Sequence, residues 1–190
     1  KKNESDLYEK ADKFLLWEDF VHFMLGCDPI IDYSVASRTL LLDLKEEKWS
    51  DELASAMDLD TGKMAELAPA GKVIGEVAAD VAEDLGLPKG VKIVTGGHDQ
   101  CCNALGAGVV KTGMAVYGLG TFICITPVYD RIPDQAKMLA SGLNIEHHVI
   151  DGHYASFLYN LTGGALLKWY RDNIGRLEKR EADQKQTDAY

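Results

Sequence analysis

Apolar side chains recur at helical spacing over residues 13–25, KFLLWEDFVHFML, and Gly26 follows as a C-terminal stop. Asp28-Pro29 predicts a turn. The run RTLLLDL, residues 38–44, suits a strand, and the charged stretch from Lys45 to Lys48 suits the turn after it. Ser50 stands as an N-cap for a short helix reaching Met57. Residues 76–86, EVAADVAEDLG, read as an amphipathic helix that Gly86 closes, and Leu87-Pro88-Lys89-Gly90 is a connector.

The pattern changes after Gly90. VKIVTGG, residues 91–97, is a short β-rich run ending in two glycines. Residues 99–110, DQCCNALGAGVV, carry small side chains at close spacing, as in a helix packed tightly on a sheet. GMAVYG (113–118) and TFICITPV (121–128) are strand-like runs around Gly118-Leu119-Gly120, a hairpin signal. Residues 147–160 predict two more strands about Asp151-Gly152, a turn dipeptide. TGGALLKWYRDNI, residues 162–174, opens on glycines and continues as a helix, and the tail after Gly175 is polar with no core face. The change of texture places a domain junction near residues 86–91.

The chain has 190 residues, which is one large domain or two small ones at about 150 residues per domain. Hydrophobic residues are 46% and charged residues 26%, an ordinary globular composition that argues against disorder. The formal charge of −10 excludes a generic basic footprint for nucleic acid and offers nothing to an anionic membrane surface. It leaves phosphate ligands open, because backbone N–H groups bind them without net positive charge. No run is long and apolar enough for a membrane helix, and the polar start has no signal-type apolar region behind it. Cys27, Cys101, Cys102 and Cys124 form no CxxC pair and no zinc spacing, so reduced thiols in a cytoplasmic protein are the simplest expectation.

Gly96-Gly97-His98-Asp99-Gln100 is the most informative stretch. An apolar strand running into two glycines and a carboxylate puts Asp99 at a strand's C-terminal end, where open α/β sheets bind ligands. The plainer alternative is an Asp that only caps a helix starting at Gln100. Gly118-Leu119-Gly120-Thr121 is a glycine-rich turn with a hydroxyl, able to aim N–H groups at phosphate oxygens, or else a plain hairpin. It lacks the third glycine of a dinucleotide fingerprint, and no GxxxxGK[ST] loop exists in the chain. Thr162-Gly163-Gly164 opens a helix carrying Lys168, a natural place for an anion. His147 and His148 fall on opposite faces of a strand, which argues against a metal site with His153.

The order of these stretches resembles the FGGY carbohydrate kinases, the group that includes xylulokinase, gluconokinase and glycerol kinase. The resemblance rests on DYSVASRTLLLDL (32–44) followed by Trp49, APAGKVIGEV (68–77), GLPKGVKIVTGGHDQCCNALGAGVVKTGMAVYGLGTF (86–122) and TGGALLKWYRD (162–172). It implies an α/β, actin-like (ribonuclease H-like) ATPase fold. Residues 1–88 would be the C-terminal part of a first domain, and residues 89–190 the N-terminal part of a second. It implies transfer of the γ-phosphate of ATP to a sugar or polyol hydroxyl, with xylulose-like ketopentoses as the first expectation. By this likeness Asp99 is the general base and Gln100 touches sugar hydroxyls. Gly120 and Thr121 form the phosphate turn, and Gly164 and Lys168 lie near the nucleotide. ATP and Mg2+ are the implied cofactors, carried mainly by family segments that this sequence does not match: an N-terminal Asp-Gly-Thr-type hairpin and a C-terminal adenine-binding segment. His98 and Phe122 depart from the residues usual in the family. The competing expectation is a sugar- or nucleotide-binding module without activity, or an inactive piece of a kinase. Uncovered apolar surface on such a piece favours a homo-oligomer.

Overall fold

The computed structural model describes residue 1 and residues 3–187. The chain opens with two helices, α1 (Ser5–Lys10) and α2 (Trp17–Met24). The apolar period of residues 13–25 is therefore helical only from Trp17. Ahead of it, Phe14 pairs with Met64 as an isolated parallel bridge, and its N–H donates to the Lys63 carbonyl. Strand β1 (Ile30–Asp32) leads straight into α3 (Tyr33–Ser37). Asp32 makes this possible: its carboxylate accepts from the backbone N–H groups of Ser34 and Val35, which caps the helix.

The strand expected over 38–44 is mostly absent. Turn residues follow α3, and only Leu42–Asp43 (β2) are extended, paired antiparallel with β3 (Lys48–Trp49) across the expected charged turn. The N–H groups of Arg38, Thr39 and Leu40 turn back onto the carbonyls of Val35, Ala36 and Ser37, which takes these residues out of a strand. Ser50 caps α4 (Asp51–Ala56) through its Oγ, as its position predicts. Strand β4 (Glu66–Ala68) then pairs parallel with β1. Strand β5 (Val73–Glu76) takes the first residue of the run read as helix from 76. Helix α5 (Ala79–Asp84) follows, and Gly86 ends it at φ +66°. Strand β6 (Lys92–Val94) pairs antiparallel with β5.

Helix α6 (Asp99–Gly106) leaves the glycine pair behind β6. The predicted hairpin is present as β7 (Ala115–Leu119) and β8 (Ile123–Tyr129), with Tyr117 opposite Ile125. A short helix, α7 (Gln135–Ala140), precedes β9 (Glu146–His147), β10 (Tyr154–Ala155) and β11 (Leu158–Asn160). Strand β8 is the spine of this five-stranded sheet. It pairs with β7, β10 and β11, and β10 pairs with β9 across the Asp151-Gly152 turn. The chain ends in α8 (Gly164–Asn173) and α9 (Arg176–Lys185). The polar tail is thus helical, with Ala182 its buried residue.

Burial follows these units. Ile31, Ala36, Leu42 and Ala65 form one core, with Trp49 and Leu67 against it. Val77, Ala82 and Ile93 form a second. Cys101, Ala155 and Phe157 join α6 to the large sheet, and Ala104, Val109 and Val128 extend that contact. The early and late parts of the chain meet through polar contacts. The His147 N–H donates to Ser37 Oγ at 3.2 Å, and the His147 ring lies 2.9 Å from the Leu44 carbonyl. Among the described residues, no helix is long and apolar enough to cross a membrane.

Candidate active site

The loop between β6 and α6 is fixed from two sides. Glu18, on α2, accepts the Gly96 N–H at 2.8 Å through one oxygen and the Asp32 N–H at 3.1 Å through the other. Ser34 Oγ accepts the His98 N–H at 2.8 Å and donates to Asp32 at 2.6 Å. Asp32 is fully buried, so this chain of bonds anchors the loop in the interior. Burial, and then the nearby Asp32 charge, push the Glu18 carboxyl up from its ordinary 4.5 to about 7. Gly97 must be glycine for close packing: a Cβ there would overlap Val149 Cγ1 and lie 3.1 Å from Ser34 Oγ.

Asp99 is the first residue of α6, and His98 occupies the cap position with no side-chain capping bond. The alternative of an Asp serving only as a helix cap is therefore not realised. The Asp99 carboxylate is 81% exposed, and its Oδ1 lies 3.2 Å from His98 Nε2. Asp99 and Gln100 line one cleft of about 510 Å3 together with Arg38, His98, Cys124, Gly142, Asn144, Phe157 and Tyr159. A larger groove of about 660 Å3, by Lys13, Phe20 and Phe23, holds none of the expected site residues.

The structure brings Gly120, Thr121 and Gly164 together at a second place. Gly120 and Thr121 sit in the β7–β8 turn, where the Gly120 N–H donates to the Phe122 carbonyl at 3.0 Å. The Gly164 N–H donates to the Gly120 carbonyl at 2.7 Å, so the start of α8 is seated on the turn. Gly163 has no room for a side chain: a Cβ would overlap the Gly120 carbonyl oxygen and lie 2.9 Å from that of Thr121. The turn and the start of α8 are thus held together as one unit, with the Gly120 carbonyl against the helix N-terminus. Lys168 lies one turn into α8, exposed and outside the residues that line the Asp99 cleft. Cys124 ties the two places together. It lines the Asp99 cleft and stands opposite Gly118 and Tyr159 in the sheet that carries the turn.

Sequence reasoning missed Glu18, Arg38, Asn144 and Glu146. Glu146 is buried, ion-paired with Arg38 Nη1 and bonded by Asn144 Nδ2 at 2.7 Å. Burial raises its pKa, against the opposing pull of Arg38. Nothing in the local pattern marks Glu18, Arg38 or Glu146, because Glu18 meets Gly96 and Arg38 meets Glu146 across 78 and 108 residues. Cys101 is fully buried, and burial pushes its thiol up.

The model of the FGGY family of carbohydrate kinases, N-terminal domain, matches residues 1–106. The chain belongs to the FGGY family of carbohydrate kinases. It is 28% identical over 174 residues to the xylulose kinase of Lactococcus lactis subsp. lactis (strain IL1403), covering 92% of this chain and 34% of that protein. It is 27% identical over 191 residues to an autoinducer-2 kinase of Escherichia coli, covering 99% of this chain and 35% of that protein. The structure superposes on a xyloylose kinase from Brucella ovis with a TM-score of 0.80 and 27% identity, over 95% of this chain and 37% of that one. The FGGY chain has the actin-like α/β fold of these sugar kinases, and it spans about a third of the length of the curated relatives it matches.

Proposed function

We propose that this chain supplies the base-bearing wall of an ATP-dependent kinase acting on a sugar or polyol hydroxyl. The observation that carries the reading is Asp99: an exposed carboxylate at a strand's end, in a cleft, on a loop anchored to buried Asp32. A general base must reach within about 2.6–3.2 Å of the proton it takes. Asp99 accepts the hydroxyl proton as that oxygen attacks the γ-phosphate, and Gln100 offers its amide to the sugar's other hydroxyls. Such a base contributes about 10²–10⁴-fold.

The cleft favours an uncharged substrate. Arg38 is its one arginine or lysine among the lining residues, and Glu146 already neutralises it. Asp99 then leaves the cleft with an excess of negative charge, which repels a sugar acid. A neutral ketopentose of the xylulose type fits this balance, in line with the relatives.

The turn at Gly120 and Thr121, with Gly164 behind it and Lys168 one helical turn away, would hold the phosphates of ATP. ATP supplies the phosphoryl group. Magnesium would arrive with the phosphates, which together with water and one or two carboxylates supply its usual ligands. Residues 1–88 belong in this reading to the end of the family's first domain and residues 89–190 to the start of its second. The protein works in the cytoplasm, where ATP is available, with its four cysteines as free thiols.

The test is Asp99→Asn in the full-length polypeptide that carries this sequence. Sugar-dependent ADP release should fall at least a hundredfold with sugar binding within threefold of wild type. Turnover within a few-fold of wild type removes Asp99 as the base, and a wild type with no sugar-dependent turnover leaves a binding module.

A further inference from the structure

Arg38 leaves the end of α3 and lines the cleft that holds Asp99 and Gln100. Its guanidinium is anchored at one nitrogen. Nη1 donates to Glu146 Oε1, and Asn144 Nδ2 donates to the same oxygen at 2.7 Å. Asn144 is fixed in turn: its Oδ1 accepts the Phe157 N–H at 3.0 Å, and its carbonyl accepts from Ser156 Oγ at 2.7 Å. The guanidinium lies over the Phe157 ring, with Cζ 5.9 Å from the ring centroid. Among the described residues, the other nitrogens of the Arg38 guanidinium have no hydrogen-bond partner, and the side chain is half exposed.

An arginine and a carboxylate pair most strongly through two parallel N–H···O bonds. A buried carboxylate needs its remaining lone pairs bonded to offset the cost of leaving water. Glu146 is buried, yet its Oε2 has no hydrogen-bond partner, and Arg38 turns a single nitrogen toward it. The pair forgoes the two-bond geometry, and the rest of the guanidinium stays available to the cleft. We propose that Arg38 is a substrate-binding residue that sets specificity, its free edge donating to two neighbouring oxygens of a neutral sugar while Asp99 acts on the reacting hydroxyl. The inference rests on the reading of this cleft as the sugar site. A guanidinium only donates, and its donors lie in one rigid plane. It therefore matches two adjacent hydroxyls, or a hydroxyl beside a carbonyl oxygen, as a ketose carries them. Glu146 cancels the charge of Arg38, so this edge offers hydrogen bonds without drawing in an anion. Glu146 acts through Arg38 and is a positioning residue. A lysine at position 38 would keep the charge and lose the planar fork.

The experiment uses the full-length polypeptide and a ketopentose panel of D- and L-xylulose and D- and L-ribulose, and carries forward the sugar that wild type binds best. It compares Arg38→Lys with Glu146→Gln. Arg38→Lys should raise the Kd for that sugar, read by calorimetry, by about tenfold or more. Its KM should rise by a similar factor. kcat and the KM for ATP should stay within about threefold, a split that general loss of folding does not produce. Glu146→Gln leaves the Arg38 charge uncancelled, so the Ki of D-gluconate as a competitor of the sugar should fall by about fivefold or more. In Arg38→Lys, which keeps both charges, that Ki should not fall. The Glu146→Gln arm decides the matter if Arg38→Lys folds poorly. Two results each overturn the inference: a sugar Kd within threefold of wild type in Arg38→Lys, or an unchanged D-gluconate Ki in Glu146→Gln. A wild type that binds no sugar of the panel overturns the reading of the cleft and this inference with it. Turnover kept by Asp99→Asn alongside a weakened Arg38→Lys removes Asp99 as the base and leaves Arg38 as a sugar contact.

Discussion

Thr121 and Gly120 show how a single turn can be tested without disturbing the fold. A Cβ on Gly120 would meet nothing nearer than the Phe122 carbonyl at 3.7 Å, an ordinary contact. Gly120→Ala should therefore fold normally, and any loss of nucleotide binding reports a ligand that needs to approach the backbone. Thr121 is exposed, so Thr121→Val removes a hydroxyl and leaves the packing intact. A hydrogen bond to a charged group is worth about 1.5–3 kcal/mol, which is roughly one to two orders of magnitude in affinity. ATP affinity of the full-length polypeptide should fall by that much in Thr121→Val, with sugar KM within twofold. An unchanged ATP titration in both variants would remove the phosphate from this turn.

At the scale of elements, the bond from α2 to the β6–α6 loop carries a pH signature. Glu18 bridges the N–H groups of Asp32 and Gly96, and its pKa is raised to about 7 by burial and by Asp32. Between about 4.5 and 7 the folded chain keeps a proton that the unfolded chain has lost. Stability from this group is then highest at the acidic end and declines as pH rises through that window. Glu18→Gln mimics the protonated acid and should flatten the change. The melting temperature of wild type should fall relative to Glu18→Gln between about pH 5 and pH 7.5. Parallel profiles would show that Glu18 titrates normally.

Elements governed by local signals were legible in the sequence. The Ser50 cap, the Gly86 stop, the β7–β8 hairpin and the glycine-opened α8 all stand where their residues predict. The run over 38–44 was not legible as it folds, because the chain leaves α3 in turns, with the N–H groups of Arg38, Thr39 and Leu40 bonded back to the carbonyls of Val35, Ala36 and Ser37. The site divides the same way. Asp99, Gln100, Gly120 and Thr121, proposed for the site, are marked in the sequence by glycines and turn chemistry. Glu18 and Glu146 work through partners 78 and 108 residues away, which no local pattern records.

At the scale of the whole molecule, the residues proposed for the reaction line one cleft and one neighbouring turn. Phosphoryl transfer needs phosphates clamped while the nucleophile is positioned. This chain offers Asp99 and a glycine-threonine turn, and its one cleft arginine is neutralised by Glu146. In the proposed reaction, the charge developing on the phosphoryl group would meet no unpaired Lys or Arg among the residues that line the cleft. The same molecule leaves large apolar groups in solvent: Trp17 is 82% exposed, Phe23 55% and Met24 56% on α2, and Trp169 and Tyr170 are each 54% exposed on α8. Apolar surface gathered on two helices favours association. The 190-residue chain by itself should therefore show no sugar-dependent ADP release in a coupled assay, and on size exclusion it should elute ahead of a 20.9 kDa monomer. Adding Asp or Lys at Trp17 and Phe23 should return it toward the monomer position, because those side chains would be the contact. Sugar-stimulated turnover by the purified chain would mean that these residues complete the site alone. A monomeric elution profile would mean that the faces of α2 and α8 stay wetted in solution.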